Sequence, residues 1–199
     1  MGINFFSMII TFDQKEYQKL NDKSYQLEKR RLQIELLKLQ EDVIKNNRRL
    51  CIIFEGRDTA GKSSTFQFFS HYLSPKNFAY VNLGIPTKWE SSHWFKRWKK
   101  VIPKKGEIAF LDRSWYTRAL TEPVMGYCTE KQYIDFMEKV IPWEEKLIYE
   151  GVEIIKFYFS LSKDQQKRRM KARKKSELKY WKLSPNDERI VTKLSLIHI

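Results

Sequence analysis

Two hydrophobic periods alternate along this chain. Between residues 13 and 46, Leu32, Leu36, Leu39 and Val43 recur at spacings of four, three and four. Leu37 and Ile44 widen the stripe and charged residues fill the other faces, which predicts one long amphipathic helix, packed on the domain or paired with another chain. The period then changes. RLCIIFEG (49–56) is a short continuous apolar run ending in glycine, the pattern of a strand buried on both faces of a parallel sheet. FAYVNLG (78–84), GEIAFLDRS (106–114) and VEIIKFYFSLS (152–162) repeat it, and helical patterns over 62–73, 87–101 and 130–149 lie between. Strands alternating with helices predict an α/β fold in which helices flank a parallel sheet. No repeat or low-complexity linker interrupts the pattern, so the expected organisation is an N-terminal helical extension (1–48) on one domain (49–199).

Composition narrows the partners. Hydrophobic residues make up 42% of the chain, enough for a packed core, while 38 Lys and Arg against 24 Asp and Glu leave a net charge of +14. An excess of that size implies a polyanionic partner: nucleic acid, an acidic membrane surface or a chain of phosphates. Between residues 163 and 182 there are ten basic and two acidic residues, so the excess is concentrated there. Cys51 and Cys128 have no metal-ligand spacing, and Cys51, inside an apolar run, reads as a buried free thiol. The apolar residues 1–10 are too few to span a bilayer and lack a basic leader, with Met8 as an alternative start; the expected location is the cytoplasm, with no membrane partner.

The chemistry is carried by FEGRDTAGKSST (54–65). Gly56, four residues, then Gly61-Lys62-Ser63 is the spacing of a phosphate-cradling P-loop, and it stands between a strand pattern and a helix pattern as that motif requires. Glycines at 56 and 61 let backbone N–H groups turn towards phosphate oxygens, with Ala60 and Ser64 in the same cradle, and the helix start adds positive potential. Lys62 is placed to reach phosphate, and Ser63 to ligate Mg²⁺. Asp112 at the end of GEIAFLDRS is the strand-end carboxylate such a site uses. Asp58, an acid inside an anion-binding loop, would be repelled by phosphate. It is therefore expected to face a metal ion or an incoming acceptor, sharing Mg²⁺ with Asp112. Arg113 and Arg118 are candidates to neutralise charge in phosphoryl transfer, with structural salt bridges as the alternative. WESSHWFKRWKKVIPKK (89–105) interleaves three tryptophans with six basic residues at helical spacing, more consistent with core than with base stacking; His93 reads as structural.

The order of these motifs resembles the family-2 polyphosphate kinases. It is carried by FEGRDTAGKSST, WESSHWFKRW…IPKKGEI, FLDRSWYTRALTEPVMGYCT and IIKFYFSLSKDQQKRRMKARKK…KYWKLSPND, over about residues 15–187. VMGYC looks like the branch that interconverts nucleoside diphosphates and triphosphates. The resemblance implies a thymidylate-kinase-like P-loop fold, dependence on Mg²⁺ (Mn²⁺ as a substitute), and reversible transfer between inorganic polyphosphate and ADP/ATP or GDP/GTP. It implies catalytic roles for Asp58, Lys62, Asp112, Arg113 and Arg118. It also implies a basic helical lid over 163–187 in which Arg168, Arg169 and Arg173 meet phosphates, and a homo-oligomer, dimer or tetramer. Gly61-Lys62-Ser63-Ser64 stands where the family usually has Gly-Lys-Gly-Gly, and Thr117 where Asn is usual. The similarity stops near Asp187 and 191–199 looks unrelated, so a truncated C-terminus and a shortened lid are expected. Two rivals share the motifs: an ATP-dependent nucleoside monophosphate kinase, and a basic nucleic-acid-binding P-loop protein without transferase activity. The second is disfavoured as a partner assignment.

Overall fold

A computed structural model describes residues 19–178. Four parallel strands form its sheet: β1 (Arg49–Gly56), β2 (Phe78–Val81), β3 (Glu107–Asp112) and β4 (Val152–Phe159), in the order β2-β3-β1-β4. β1 is central, in register with β3 from Arg49 opposite Glu107 to Phe54 opposite Asp112, and with β4 as far as Gly56 opposite Phe159. The two inner strands carry the continuous apolar runs because both of their faces are covered. Leu50, Ile52, Phe54, Ile108 and Phe110 point to one layer; Cys51, Ile53, Ala109 and Leu111 point to the other. That alternation is the period of two of an extended chain. The outer strands are shorter or more exposed than their sequences suggest. β2 ends at Val81 and most of β4 is accessible, as edge strands allow.

On the first face lie α1 (Asp22–Lys45) and α2 (Lys62–Ser70). α1 starts at Asn21, whose side chain accepts from the Ser24 N–H, and packs through Val43 with Leu36, Leu37 and Leu39 beside it. The stripe reads slightly off. Leu32 and Ile44 are exposed, whereas Gln33 and Gln40 are buried. Gln40 donates to the Ser74 carbonyl (3.0 Å) and accepts from the Ser74 N–H (2.7 Å), clasping α1 to the turn after α2. Buried amides are tolerated when both ends are bonded.

The second face is covered by α4 (Trp94–Lys99) and α7 (Glu130–Tyr149), with α3 (Lys88–Ser92) leading into α4. The single helix expected over 87–101 is broken at His93, which has φ −120° and ψ 52°. Its ring stacks on Trp89 and its Nδ1 lies 3.0 Å from the Trp89 carbonyl, a local contact that competes with helix continuation. After β3 come two short helices the periodicity did not reveal, α5 (Thr117–Leu120) and α6 (Glu122–Met125). α8 (Lys163–Lys174) realises part of the basic segment. The expectations for residues 1–10, for 13–18 of the first helix, for 179–187 of the lid and for 191–199 lie outside the described residues.

Candidate phosphoryl-transfer site

β1 delivers the loop from its C-terminal end, where the sheet's strands open onto solvent. Gly56 has φ +131° and packs against the Phe159 backbone of β4, an approach only glycine permits. Gly61 has φ +114° and caps α2. Around them opens a cleft of about 790 Å³ lined by Lys62, Ser63, Tyr80, Asp112, Arg113 and Arg173, among others. Five of these six were expected at the site from sequence, and the fold brings them together.

Their contacts are more specific than the motif implied. Lys62 is buried and its Nζ donates to the carbonyls of Gly56 (2.9 Å) and Arg57 (3.1 Å), so the amine rests on its own loop. Burial, and then the nearby Arg113, lower its pKa from the usual lysine value. Ser63 Oγ donates to Asp112 Oδ2 at 2.8 Å, joining the first turn of α2 to the end of β3. Tyr80, a residue outside the sequence motifs, donates to the same oxygen at 2.8 Å and rests its ring on Phe66, 4.4 Å between centroids. Burial, and then its bond to Asp112, raise the phenol pKa. The alternation of FAYV could have flagged it: Tyr80 lies opposite Phe110 in register, two residues before Asp112 on the neighbouring strand.

Asp58 is paired with the Arg113 guanidinium, so the carboxylate expected to face a metal ion or an incoming acceptor is neutralised by a partner 55 positions away along the chain. Arg113 has φ +72° and its N–H donates to the Phe54 carbonyl at 3.0 Å; this rare backbone conformation turns the side chain back towards the loop. Burial opposes its charge, but Asp58, Glu55 and Asp112 outweigh it and hold the pKa above the ordinary value.

Arg118 lies outside the cleft lining. It is 1% exposed, ion-paired to Glu122 at 2.8 Å, bonded to the Ser91 carbonyl at 3.0 Å, and lies over the Trp94 ring at 4.1 Å. That is a buried structural cluster behind the cleft rather than a group aimed into it. Glu55, in FEG directly before the loop, is also buried and accepts from the N–H and Oγ of Ser114, both at 2.7 Å. Its apolar surroundings raise its pKa, partly offset by those bonds. An acid inside a central strand was the signal available for it.

The three arginines of α8 separate. Arg173 lines the cleft and Arg168 is exposed outside its lining. Arg169 donates to the carbonyls of Thr59 (3.0 Å) and Ala60 (3.3 Å) of the loop itself. Ser64 lines the cleft at the start of α2. The base-stacking alternative weakens, because Trp94 and Trp98 are core residues and exposed Trp89 already carries His93 and Lys100 on its ring. Cys51 is a buried free thiol as expected, its pKa pushed up to about 12 by burial. Among the described residues no helix is long and apolar enough to cross a membrane.

The family profile described as polyphosphate kinase 2 matches residues 19–195. The chain belongs to the polyphosphate kinase 2 family. The match runs past Asp187, beyond the end of the motif similarity. Among relatives, the NDP-polyphosphate phosphotransferase 2 of Ruegeria pomeroyi is 41% identical over 171 residues, covering 85% of this chain and 50% of that protein. The GDP-polyphosphate phosphotransferase of Mycobacterium tuberculosis is 43% identical over 170 residues, covering 85% of this chain and 58% of that protein. The crystal structure of polyphosphate kinase 2 from Arthrobacter aurescens superposes with a TM-score of 0.77 at 27% identity, over 84% of this chain and 61% of that one. The chain thus spans about half the length of the curated polyphosphate phosphotransferases it matches.

Proposed function

We propose that this chain transfers a phosphoryl group reversibly between inorganic polyphosphate and a nucleoside diphosphate, ADP or GDP, giving ATP or GTP, with Mg²⁺ as the metal. The observation that carries the reading is the convergence of Lys62, Arg113 and Arg173 on one wide cleft at the P-loop, in a chain whose relatives are named as polyphosphate phosphotransferases. A nucleoside monophosphate kinase needs the loop but not a net charge of +14. A substrate with about one negative charge per phosphate uses that excess, and binding that releases counterions weakens steeply with salt.

The donor set fits a hard divalent ion. Ser63 and Asp112 offer a hydroxyl and a carboxylate side by side, and no cluster of three or more His, Cys, Asp or Glu stands among the described residues. Mg²⁺ is commonly held by one or two carboxylates plus substrate phosphates, retaining waters elsewhere. Bound there, it would shield phosphate charge and polarise the phosphoryl oxygens. The protein's own part is positional. Gly56 and Gly61 keep side chains out of the cradle, and Arg113 and Arg173 face the cleft with fixed charge. Lys62 leaves the Gly56 and Arg57 carbonyls for phosphate oxygens when substrate enters. In a loose in-line transfer the negative charge spreads over the equatorial oxygens, and these cations would offset it.

The test is ATP formation from ADP, Mg²⁺ and long-chain polyphosphate, after subtraction of a polyphosphate-free blank, with GDP run in parallel. Polyphosphate-dependent product that falls about 10²–10³-fold in Lys62→Ala is expected. Product that is independent of polyphosphate, or insensitive to Lys62, overturns the reading.

A further inference from the structure

We propose that Arg169 is a positioning residue that latches α8 to the P-loop and orients the loop's amides, rather than a ligand of substrate phosphate. Its Nη1 donates to two successive backbone carbonyls, those of Thr59 and Ala60, at 3.0 and 3.3 Å. A trans-planar peptide points its N–H opposite to its carbonyl. Drawing both carbonyls towards α8 therefore aims the Ala60 and Gly61 N–H groups away from it. The Ala60 N–H closes a turn onto the Arg57 carbonyl at 3.1 Å. The Gly61 N–H is left on the side of the loop that, with Lys62 and Ser63, lines the cleft.

Two further features show that the segment needs an external hold. Thr59 sits at φ +67°, a conformation costly for a β-branched residue, and its buried Oγ1 has no hydrogen-bond partner. Neither the threonine's torsional preference nor its hydroxyl keeps the peptide in place. The guanidinium is the group that spans both carbonyls, one Nη1 supplying both bonds from within its rigid plane. Arg173, one helical turn further along α8, faces the cleft instead. One helix face thus divides its labour: Arg173 towards substrate, Arg169 towards the loop that holds it.

The assignment of Arg173 to substrate rests on the polyphosphate reading; the latch does not. Hydrogen exchange of the substrate-free full chain tests the latch directly, comparing Arg169→Ala, Arg169→Lys and Arg173→Ala. Losing two bonds to the loop should speed exchange of the peptide covering 57–63 by about tenfold in Arg169→Ala, with partial recovery in Arg169→Lys and no change in Arg173→Ala. The second arm measures polyphosphate affinity against salt. Each phosphate contact contributes about 0.7 to the slope of log K against log salt for a single-stranded polyanion. Arg169→Ala should weaken binding without altering that slope, whereas Arg173→Ala should lower it by about one contact. Unchanged exchange in Arg169→Ala, or a slope lowered by one contact in that variant, overturns the latch. If the wild-type chain fails to bind polyphosphate, the substrate reading falls and the exchange arm still decides the role of Arg169.

Discussion

Replacing Gly56 by alanine tests whether the close approach of β1 to β4 at the mouth of the loop shapes the site. Two costs can be separated. The first is torsional: φ is +131°, outside what an L side chain adopts readily, and such conformations cost about 1–3 kcal/mol. The second is steric. The new Cβ would overlap the Phe159 carbonyl oxygen and lie 3.1 Å from both the carbonyl carbon and Cβ of Phe159. These atoms belong to the last paired residue of β4, so relief requires moving a strand rather than a rotamer. Overpacking of this kind costs about 1–3 kcal/mol more. Gly61 provides the control, since at φ +114° it shares the torsional cost while nothing lies within 4 Å of its added Cβ. With about 2–4 °C lost per kcal/mol for a chain of this size, Gly56→Ala should melt roughly 2–12 °C below Gly61→Ala. Calorimetry of the two variants beside wild type measures the difference. If Gly61→Ala melts at or below Gly56→Ala, the strand contact is not what demands glycine at 56.

Arg118→Ala should cost about 3–5 kcal/mol in urea denaturation because it strands Glu122, 3% exposed, without its cation, and a paired Arg118→Met, Glu122→Leu variant should recover much of that loss. Tyr80→Phe removes one of two hydroxyl donors on Asp112 Oδ2 and leaves the other, so it should lower stability by only about 0.5–1.5 kcal/mol in the same assay. Glu55 gives a pH dependence. Its folded pKa lies above its ordinary 4.5, so the folded state binds the proton more tightly; its contribution is full below 4.5 and is lost as pH rises through the folded value. The stability difference between wild type and Glu55→Gln, followed by urea titration at a series of pH values, should therefore shift against wild type across that window; a flat difference would refute it.

How much of this was readable from sequence depended on how far apart the interacting residues lie. β1 and β3 were legible because a strand covered on both faces must be apolar at every position, and α7 because its cap and stripe are local; Thr129 and Gln132 form a reciprocal capping box at its start. The break at His93 was not legible, since it comes from a ring stacking on Trp89 and not from a helix-breaking residue. α5 and α6 are four residues each, too short for any period to register. The candidate site divides in the same way. Lys62, Ser63 and Asp112 sit at positions fixed by the loop and the strand end, so the motif located them. The sequence leaves the place of Arg118 open between cleft and core, because an arginine one turn beyond the strand can face either, and the choice is made by Glu122 and Trp94 packing around it.

The acid within the loop shows what a motif omits. Asp58 beside a phosphate cradle is unfavourable if only the loop is considered. The difficulty disappears once Arg113 is turned back upon it by a left-handed backbone at the end of β3. The pair also reaches Glu55, whose charge acts on Arg113 from beneath the loop while its own oxygens hold the Ser114 N–H and Oγ. Four groups from two strand ends thus form one network in which each buried charge has a partner. On the proposed polyphosphate reading, phosphate entering the cleft would meet Lys62 and Arg173 as the cations there that, among the described residues, are not engaged with a carboxylate, and would draw Lys62 off two neutral carbonyls rather than out of an ion pair. A carbonyl is the weaker competitor. On that reading the loop holds its lysine in place when no anion is present and releases it to one that arrives.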